Sequence, residues 1–256
     1  MKRITPHKSL GQHFLKDTQV LDRIVAALAQ SYDGQQQVLE IGPGMGALTE
    51  RLIPICGEDL RCIELDNRCV TYLGEHFPVL ENRIISGDFL NIDLGALLQQ
   101  PTIVIGNFPY NISSQIIWRI IDHHEMVPTV IGMFQKEVAQ RLVAGHGSKL
   151  YGIQSVITAC FYSGEMLFEI PPTAFSPPPK VMSAVIRLQH HPVLPYEVNI
   201  GKLKQVVKQA FNQRRKMLRN SLSGLLPTAI LGDVEYEKRP EQLSLADFVK
   251  ITAMID

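Results

Sequence analysis

Short runs of β-branched and other apolar residues recur along the first two-thirds of the chain, with helix-compatible stretches between most of them. The runs are Val38-Leu39-Glu40-Ile41, Leu60-Arg61-Cys62-Ile63, Arg83-Ile84-Ile85, Thr102-Ile103-Val104-Ile105 and Thr129-Val130-Ile131-Gly132-Met133. Each is bounded by Gly, Pro, Asn or Asp, which reads as a strand. Strands that alternate with helices imply a parallel sheet covered on both faces, an α/β fold. Ahead of the first run, Asp17 can cap a helix to Ala29 in which Val20, Ile24 and Leu28 share a face. The run from Val181 to Leu188 adds one more strand. Past His190 the strand signal stops. Leu203, Val206, Val207 and Ala210 then mark one helix face, and Ser244 with Asp247 forms a capping-box pattern. The expected organisation is an α/β body over residues 1–190 with a basic N-terminal arm, then a small all-helical domain over 191–256.

With 256 residues, 45% of them hydrophobic, the chain can build a core without disulfides or metal. The start has no apolar run that would read as a signal peptide. The charge-free stretch from Pro101 to Trp118 contains Pro, Asn and Ser, so no membrane span or membrane partner is expected. The four cysteines form no CxxC pair and no metal spacing, and adjacent histidines lack a third ligand, so no metal is expected and a reduced cytoplasmic setting is. The net charge is zero but segregated. Residues 1–16 carry four positive charges and residues 198–232 seven, with no acid in either, leaving the rest of the chain eleven negative. Positive segments of this kind concentrate polyanions.

The stretch Glu40-Ile41-Gly42-Pro43-Gly44-Met45-Gly46 follows the first strand directly. Glycines there let the backbone turn tightly and approach a ligand. The next acid at a strand end, Glu64, lies 22 residues beyond Gly42, where a carboxylate can accept both ribose hydroxyls of a nucleoside. Gly42, Gly44 and Ala47 also satisfy a dinucleotide pattern, so a nicotinamide enzyme stays open on the loop alone. The third strand ends in Gly87-Asp88-Phe89, where Asp88 can accept from an adenine amine and Phe89 can cover the ring. Three such ends in order build one crevice at the carboxyl edge of the sheet.

The fourth strand ends in Gly106-Asn107-Phe108-Pro109-Tyr110-Asn111. An adenine exocyclic amine is a poor nucleophile because its lone pair is delocalised into the ring. Acceptors on its two hydrogens favour the tetrahedral nitrogen needed for attack. The Asn107 side-chain oxygen and a backbone carbonyl at Phe108 or Pro109 supply them. Pro109 fixes φ and Tyr110 offers a stacking face. Hydride transfer has no use for this tetrad.

At this point the sequence resembles the bacterial 16S ribosomal RNA adenine N6,N6-dimethyltransferases, class I S-adenosylmethionine-dependent enzymes with a Rossmann-like sheet. The resemblance covers nearly the whole chain. It rests on residues 8–15 (KSLGQHFL), 40–46, 63–66, 87–88, 107–111, 134–141 (FQKEVAQR), 171–177 (PPTAFSP) and 211–216 (FNQRRK). It implies S-adenosylmethionine as cofactor, with contacts from His13, Leu15, Gly42, Gly44, Glu64, Asp88, Phe89 and Asn107. It implies a flipped adenine held at Asn107, Phe108, Pro109 and Tyr110, with Phe175 as a second stacking ring. The implied substrate is a pair of neighbouring adenines in a hairpin near the 3′ end of 16S rRNA in the pre-30S subunit, met by a monomer. Two positions depart from the usual pattern: His13 replaces an asparagine, and Phe108 replaces a leucine and is expected to add bulk beside the amine. The sister enzymes that methylate large-subunit rRNA share the body, and a non-catalytic assembly factor is a further alternative. The 211–216 motif favours the small-subunit enzymes, and the intact Gly42, Glu64, Asp88 and Asn107 argue against the assembly factor.

Lys204, Lys208, Arg215 and Arg219 fall within about 60° of one another on one continuous helix, and Arg214 and Lys216 widen the stripe. Such a stripe is suited to RNA phosphates.

Overall fold

The computed structural model describes residues 4–7 and 10–255. Lys2, Arg3 and Lys8 of the basic arm, with Ser9 of its motif, lie outside the described residues. Seven strands form one sheet: β1 (Gln37–Ile41), β2 (Leu60–Glu64), β3 (Ile84–Ser86), β4 (Thr102–Asn107), β5 (Thr129–Gln135), β6 (Tyr162–Ile170) and β7 (Ser183–His190). Their order across the sheet is β3-β2-β1-β4-β5-β7-β6. β1 pairs in parallel with β2 and β4, β2 with β3, and β4 with β5, whereas β5 and β7 are antiparallel. β1 is buried at every position, as a central strand covered on both faces must be. The expected Rossmann-like α/β sheet is therefore present. β6 was not foreseen in the sequence.

The connecting helices follow from local chemistry. α1 (Thr18–Ala29) starts at Asp17, whose carboxylate accepts from the Val20 amide at 3.2 Å, and buries Val20, Leu21, Ile24, Ala27 and Leu28. α2 (Thr49–Cys56) leaves the glycine turn after β1. α3 (Asn67–His76) is capped by the Asp66 carboxylate. α4 (Leu94–Leu97) and α5 (Ser113–Asp122) follow β3 and β4. A two-residue strand, Phe14–Leu15, pairs antiparallel with Phe175–Ser176.

The chain forms two compact units, one of residues 1–139 and 165–190, the other of residues 140–164 and 191–256. The first holds the sheet and a core running from Leu28 and Leu52 to Ile103, Ile131 and Val185. The second begins within α6 (Lys136–Leu142) and contains α7 (Ile153–Phe161), α8 (Ile200–Asn212), α9 (Leu218–Ser221), α10 (Thr228–Leu231) and α11 (Leu245–Thr252). Its aromatic centre stacks Phe211 on Phe248 and sets Tyr151 edge-on to Phe211. Residues 140–164 join the C-terminal helices here, which a single division at residue 190 did not anticipate. The box at Ser244 forms as its sequence suggests: the Ser244 hydroxyl and amide donate to Asp247, and the Asp247 amide returns to Ser244.

Candidate active site

Four strand ends meet at the carboxyl edge of the sheet, around a cavity of about 200 Å³. Its wall includes Gln12, His13, Phe14 and Leu15 from the N-terminal arm, Glu40 to Met45 from the glycine turn, Glu64 and Leu65, Gly87 to Leu90, and Asn107 to Ile112. Every candidate cofactor residue named from the sequence reaches this wall.

The glycine turn is held open by backbone geometry. Gly42, Gly44 and Gly46 have φ of +68°, +59° and +80°, which side-chain-bearing residues adopt only with strain. A Cβ on Gly42 would point into the space facing Pro109 and the Asn107 carbonyl, 3.9–4.0 Å away. The turn and the 107–110 bend thus approach each other at Gly42, and both line the cavity.

Glu64 is 6% exposed. Its Oε2 accepts from the Gly44 amide at 2.9 Å and its Oε1 from the Asp66 amide at 2.8 Å. Burial raises the Glu64 pKa, and these two amides oppose the rise by favouring the charged form. Each oxygen keeps lone-pair capacity for a further donor. Asp88 accepts from the Leu90 amide and from the Asn91 side chain, which fixes its carboxylate in the loop after β3. Arg119 on α5 donates to the Phe89 and Ile92 carbonyls at 2.7 and 2.6 Å and so braces the same loop.

Asn107 ends β4. Its amide nitrogen donates to the His13 carbonyl at 2.8 Å. A carbonyl partner can accept only from nitrogen, so the Asn107 side-chain oxygen is left as the acceptor. The Tyr110 hydroxyl bonds to that of Ser183. The His13 imidazole stacks over the Tyr110 ring with centroids 5.5 Å apart, and its Nδ1 lies 2.8 Å from the Pro177 carbonyl oxygen.

Three expectations are corrected. The Phe108 ring does not add bulk beside the amine site. It is fully buried, edge-on to Phe134 at 5.2 Å, in space that exists because residue 132 is glycine: a Cβ there would sit 2.6 Å from the Phe108 ring. The Phe175 ring does not reach the cavity wall: it is 1% exposed, in the core cluster with Leu15 and Ala174. The aromatic group that does join Tyr110 is His13. Finally, the basic stripe does not run along one helix.

α8 ends at Asn212, where Gln213 leaves helical geometry, and α9 (Leu218–Ser221) starts afresh. Lys204 and Lys208 share a face of α8 one turn apart. Arg214, Arg215 and Lys216 occupy the turn, and Arg219 lies on α9. Arg219 pairs with Glu237 at 3.2 Å, and Arg214 contacts Glu241 at 3.8 Å and the Ser148 carbonyl. Lys208, Arg215, Lys216 and Arg219 are exposed.

One carboxylate at the cavity was given no role from the sequence. Glu40, 2% exposed in β1, accepts from the Thr49 hydroxyl at 2.7 Å and from the Cys62 thiol. Burial pushes its pKa up to about 7 against those hydrogen bonds. An acid inside an otherwise apolar strand was the available signal. Among the described residues no group of three potential ligands is placed to hold a metal, and no helix is long and apolar enough to cross a membrane.

This strand order, with ligand-type residues at the ends of β1 to β4, defines a Rossmann-like class I S-adenosylmethionine-dependent methyltransferase. Among solved structures, a dimethyladenosine transferase from Plasmodium falciparum superposes with a TM-score of 0.78 at 25% identity, covering 93% of this chain and 96% of that one. The 23S rRNA methyltransferase ErmE shares the fold at a TM-score of 0.70 and 24% identity, covering 94% and 99%. A sequence profile described as ribosomal RNA adenine dimethylase matches residues 4–256. Two proteins named ribosomal RNA small subunit methyltransferase A are close relatives. That of Parabacteroides distasonis is 48% identical over 98% of this chain and 94% of its own length, and that of Porphyromonas gingivalis is 47% identical over 100% and 99%. The chain belongs to the ribosomal RNA adenine dimethylase family, and its cofactor is S-adenosylmethionine.

Proposed function

We propose that this chain dimethylates N6 of two adjacent adenines in a hairpin near the 3′ end of 16S rRNA, acting as a cytoplasmic monomer on the assembling 30S subunit. The 16S target rests on the small-subunit relatives. The chemistry rests on one observation above the others: Asn107 lines the cavity and donates its amide nitrogen to the arm, which leaves its side-chain oxygen to accept.

The residues present fit the cofactor. Gly42 leaves room for close approach, and Gly44 packs under the Phe14 ring while its amide holds Glu64. Glu64 takes the ribose hydroxyls, and Asp88 and Phe89 receive the adenine. Leu15, His13 and Asn107 close the remaining side. S-adenosylmethionine supplies an activated methyl group on sulfur when bound there. The protein's part is alignment and electrostatic shaping. The Asn107 side-chain oxygen accepts one amine hydrogen of the target base, and the Phe108 or Pro109 carbonyl accepts the other. The nitrogen lone pair is thereby drawn out of conjugation and aimed into the cavity. Tyr110, held by Ser183 and flanked by His13, stacks on the base. Stacking offsets the few kcal/mol it takes to extrude a base. No strong base is required, because the proton can leave after attack.

Lys204, Lys208, Arg214, Arg215, Lys216 and Arg219 form a discontinuous basic surface for RNA phosphates, which gives affinity and register with little sequence information. The test is methyl labelling of mixed ribosomal subunits from an unmethylated strain. Label is expected on N6 of small-subunit adenines. Label on the large subunit would transfer the reading to the sister enzymes, and none on either would refute both.

A further inference from the structure

We propose that Asp66 is a positioning residue for cofactor binding, joining the N-terminal arm to the turn that carries Glu64. The inference rests on the assignment of Glu64 to the cofactor ribose.

Asp66 does not line the cavity. It is nevertheless 7% exposed, and each of its polar groups is committed. Its amide donates to Glu64 Oε1 at 2.8 Å. Its Oδ1 accepts from the Arg68 amide at 3.1 Å and from Arg68 Nε at 2.9 Å. Its Oδ2 accepts from Arg68 Nη2 at 2.6 Å and from Gln12 Nε2 at 3.0 Å. Two-point guanidinium–carboxylate contact is the strongest of the common charge-assisted arrangements.

The other ends of this network lie on the arm. Gln12 Oε1 accepts from the His7 amide at 2.8 Å, and Arg68 Nη1 donates to the Thr5 carbonyl at 3.3 Å. The residue after Gln12 is His13, whose carbonyl orients Asn107 and whose ring covers Tyr110. Asp66 therefore holds two walls of the cavity at once: the ribose carboxylate through its backbone, and the arm through its side chain. The other anchors of the described arm lie further along it: the two-residue strand Phe14–Leu15, the His13 bonds to Asn107 and Pro177, and the Lys16 amide on the Ala174 carbonyl. Release from Asp66 would loosen the wall at Gln12 and His13, while Leu15 stays in the core.

The decisive experiment exchanges donor and acceptor. Gln12→Glu sets two carboxylates against each other in an isosteric change. It is expected to raise KM for S-adenosylmethionine roughly tenfold or more, while kcat at saturating cofactor changes by less than about twofold. Adding Asp66→Asn removes the like-charge repulsion and restores a donor–acceptor pair with the roles reversed, while giving up the Arg68 Nη2 bond on Oδ2, and should bring KM part of the way back to the parent. A simple packing defect would not be rescued in this way. An unchanged KM in Gln12→Glu, or a double variant no better than the single, overturns the proposal. Asp66→Asn alone keeps a helix-capping side chain. Amide hydrogen exchange across residues 10–15 is expected to accelerate in it, and unaltered exchange counts equally against the proposal. Glu64→Gln separates the two levels. Full cofactor affinity there removes the ribose assignment and this inference with it, whereas a loss there beside an unaffected Gln12→Glu removes this inference alone.

Discussion

Two buried carboxylates border the same cavity under different electrostatic terms. Glu64 meets two amide donors, while Glu40 meets a hydroxyl and a thiol, and burial raises the latter's pKa to about 7. A group with a raised folded-state value stabilises the fold fully below its unfolded value of 4.5. That contribution is lost as pH rises through about 7. Glu40→Gln is therefore expected to melt higher than the parent at about pH 8, with the gap shrinking by about pH 5. A pH-independent gap in thermal melts would refute this. A cationic ligand in the cavity should also draw a proton off Glu40 near neutrality, making the calorimetric binding enthalpy depend on the buffer. That dependence should vanish in Glu40→Gln. At this scale most of the cavity wall was legible, because Gly42, Glu64, Asp88 and Asn107 each lie at or just past a strand end at the same sheet edge. What was not legible is where side chains turn. Nothing in the local sequence tells that Phe108 points inward onto Phe134, or that Phe175 is sealed beside Leu15, since both depend on partners distant in the chain.

Elements were legible where the local pattern sufficed. α1 with its Asp17 cap and α11 with its Ser244 box form where the sequence places them. β6 was missed because Tyr162-Ser163-Gly164-Glu165 opens it with small and polar residues and it lacks the alternation of a half-buried strand. The basic stripe failed for a different reason: helical spacing was extended past Gln213, where α8 stops and the turn is closed by backbone bonds from Arg214 to Phe211 and from Lys216 to Gln213. The charges thus present a patch across a turn rather than a row. RNA affinity should still fall steeply with salt, and Lys208→Ala should reduce the slope of log affinity against log salt by about one. Filter binding across a salt series reads this directly, and a flat profile would remove the patch from RNA binding. In the glycine turn, Gly46→Ala would place a Cβ 2.3 Å from the Phe77 ring at φ +80°. A loss of about 2 kcal/mol or more in denaturant unfolding is expected. A change below about 0.5 kcal/mol would show that the turn relaxes.

For the molecule as a whole, chemistry and polyanion binding are assigned to separate compact units. The cavity lies wholly within residues of the first, and the basic patch within the second. The second unit also takes in residues 140–164, an excursion from the middle of the chain that composition gave no reason to expect. The assignment predicts that patch substitutions weaken RNA binding and leave cofactor affinity in place. The bend at 107–110 should do the reverse of a binding defect: it should act on the transfer step. Single-turnover methyl transfer by Asn107→Ala, read beside its calorimetric affinity for cofactor, tests this most directly. The rate constant is predicted to fall on the order of a hundredfold, with cofactor affinity weakened by no more than about tenfold. A rate constant equal to the parent's, or a loss explained entirely by weaker cofactor binding, would contradict the role given to Asn107.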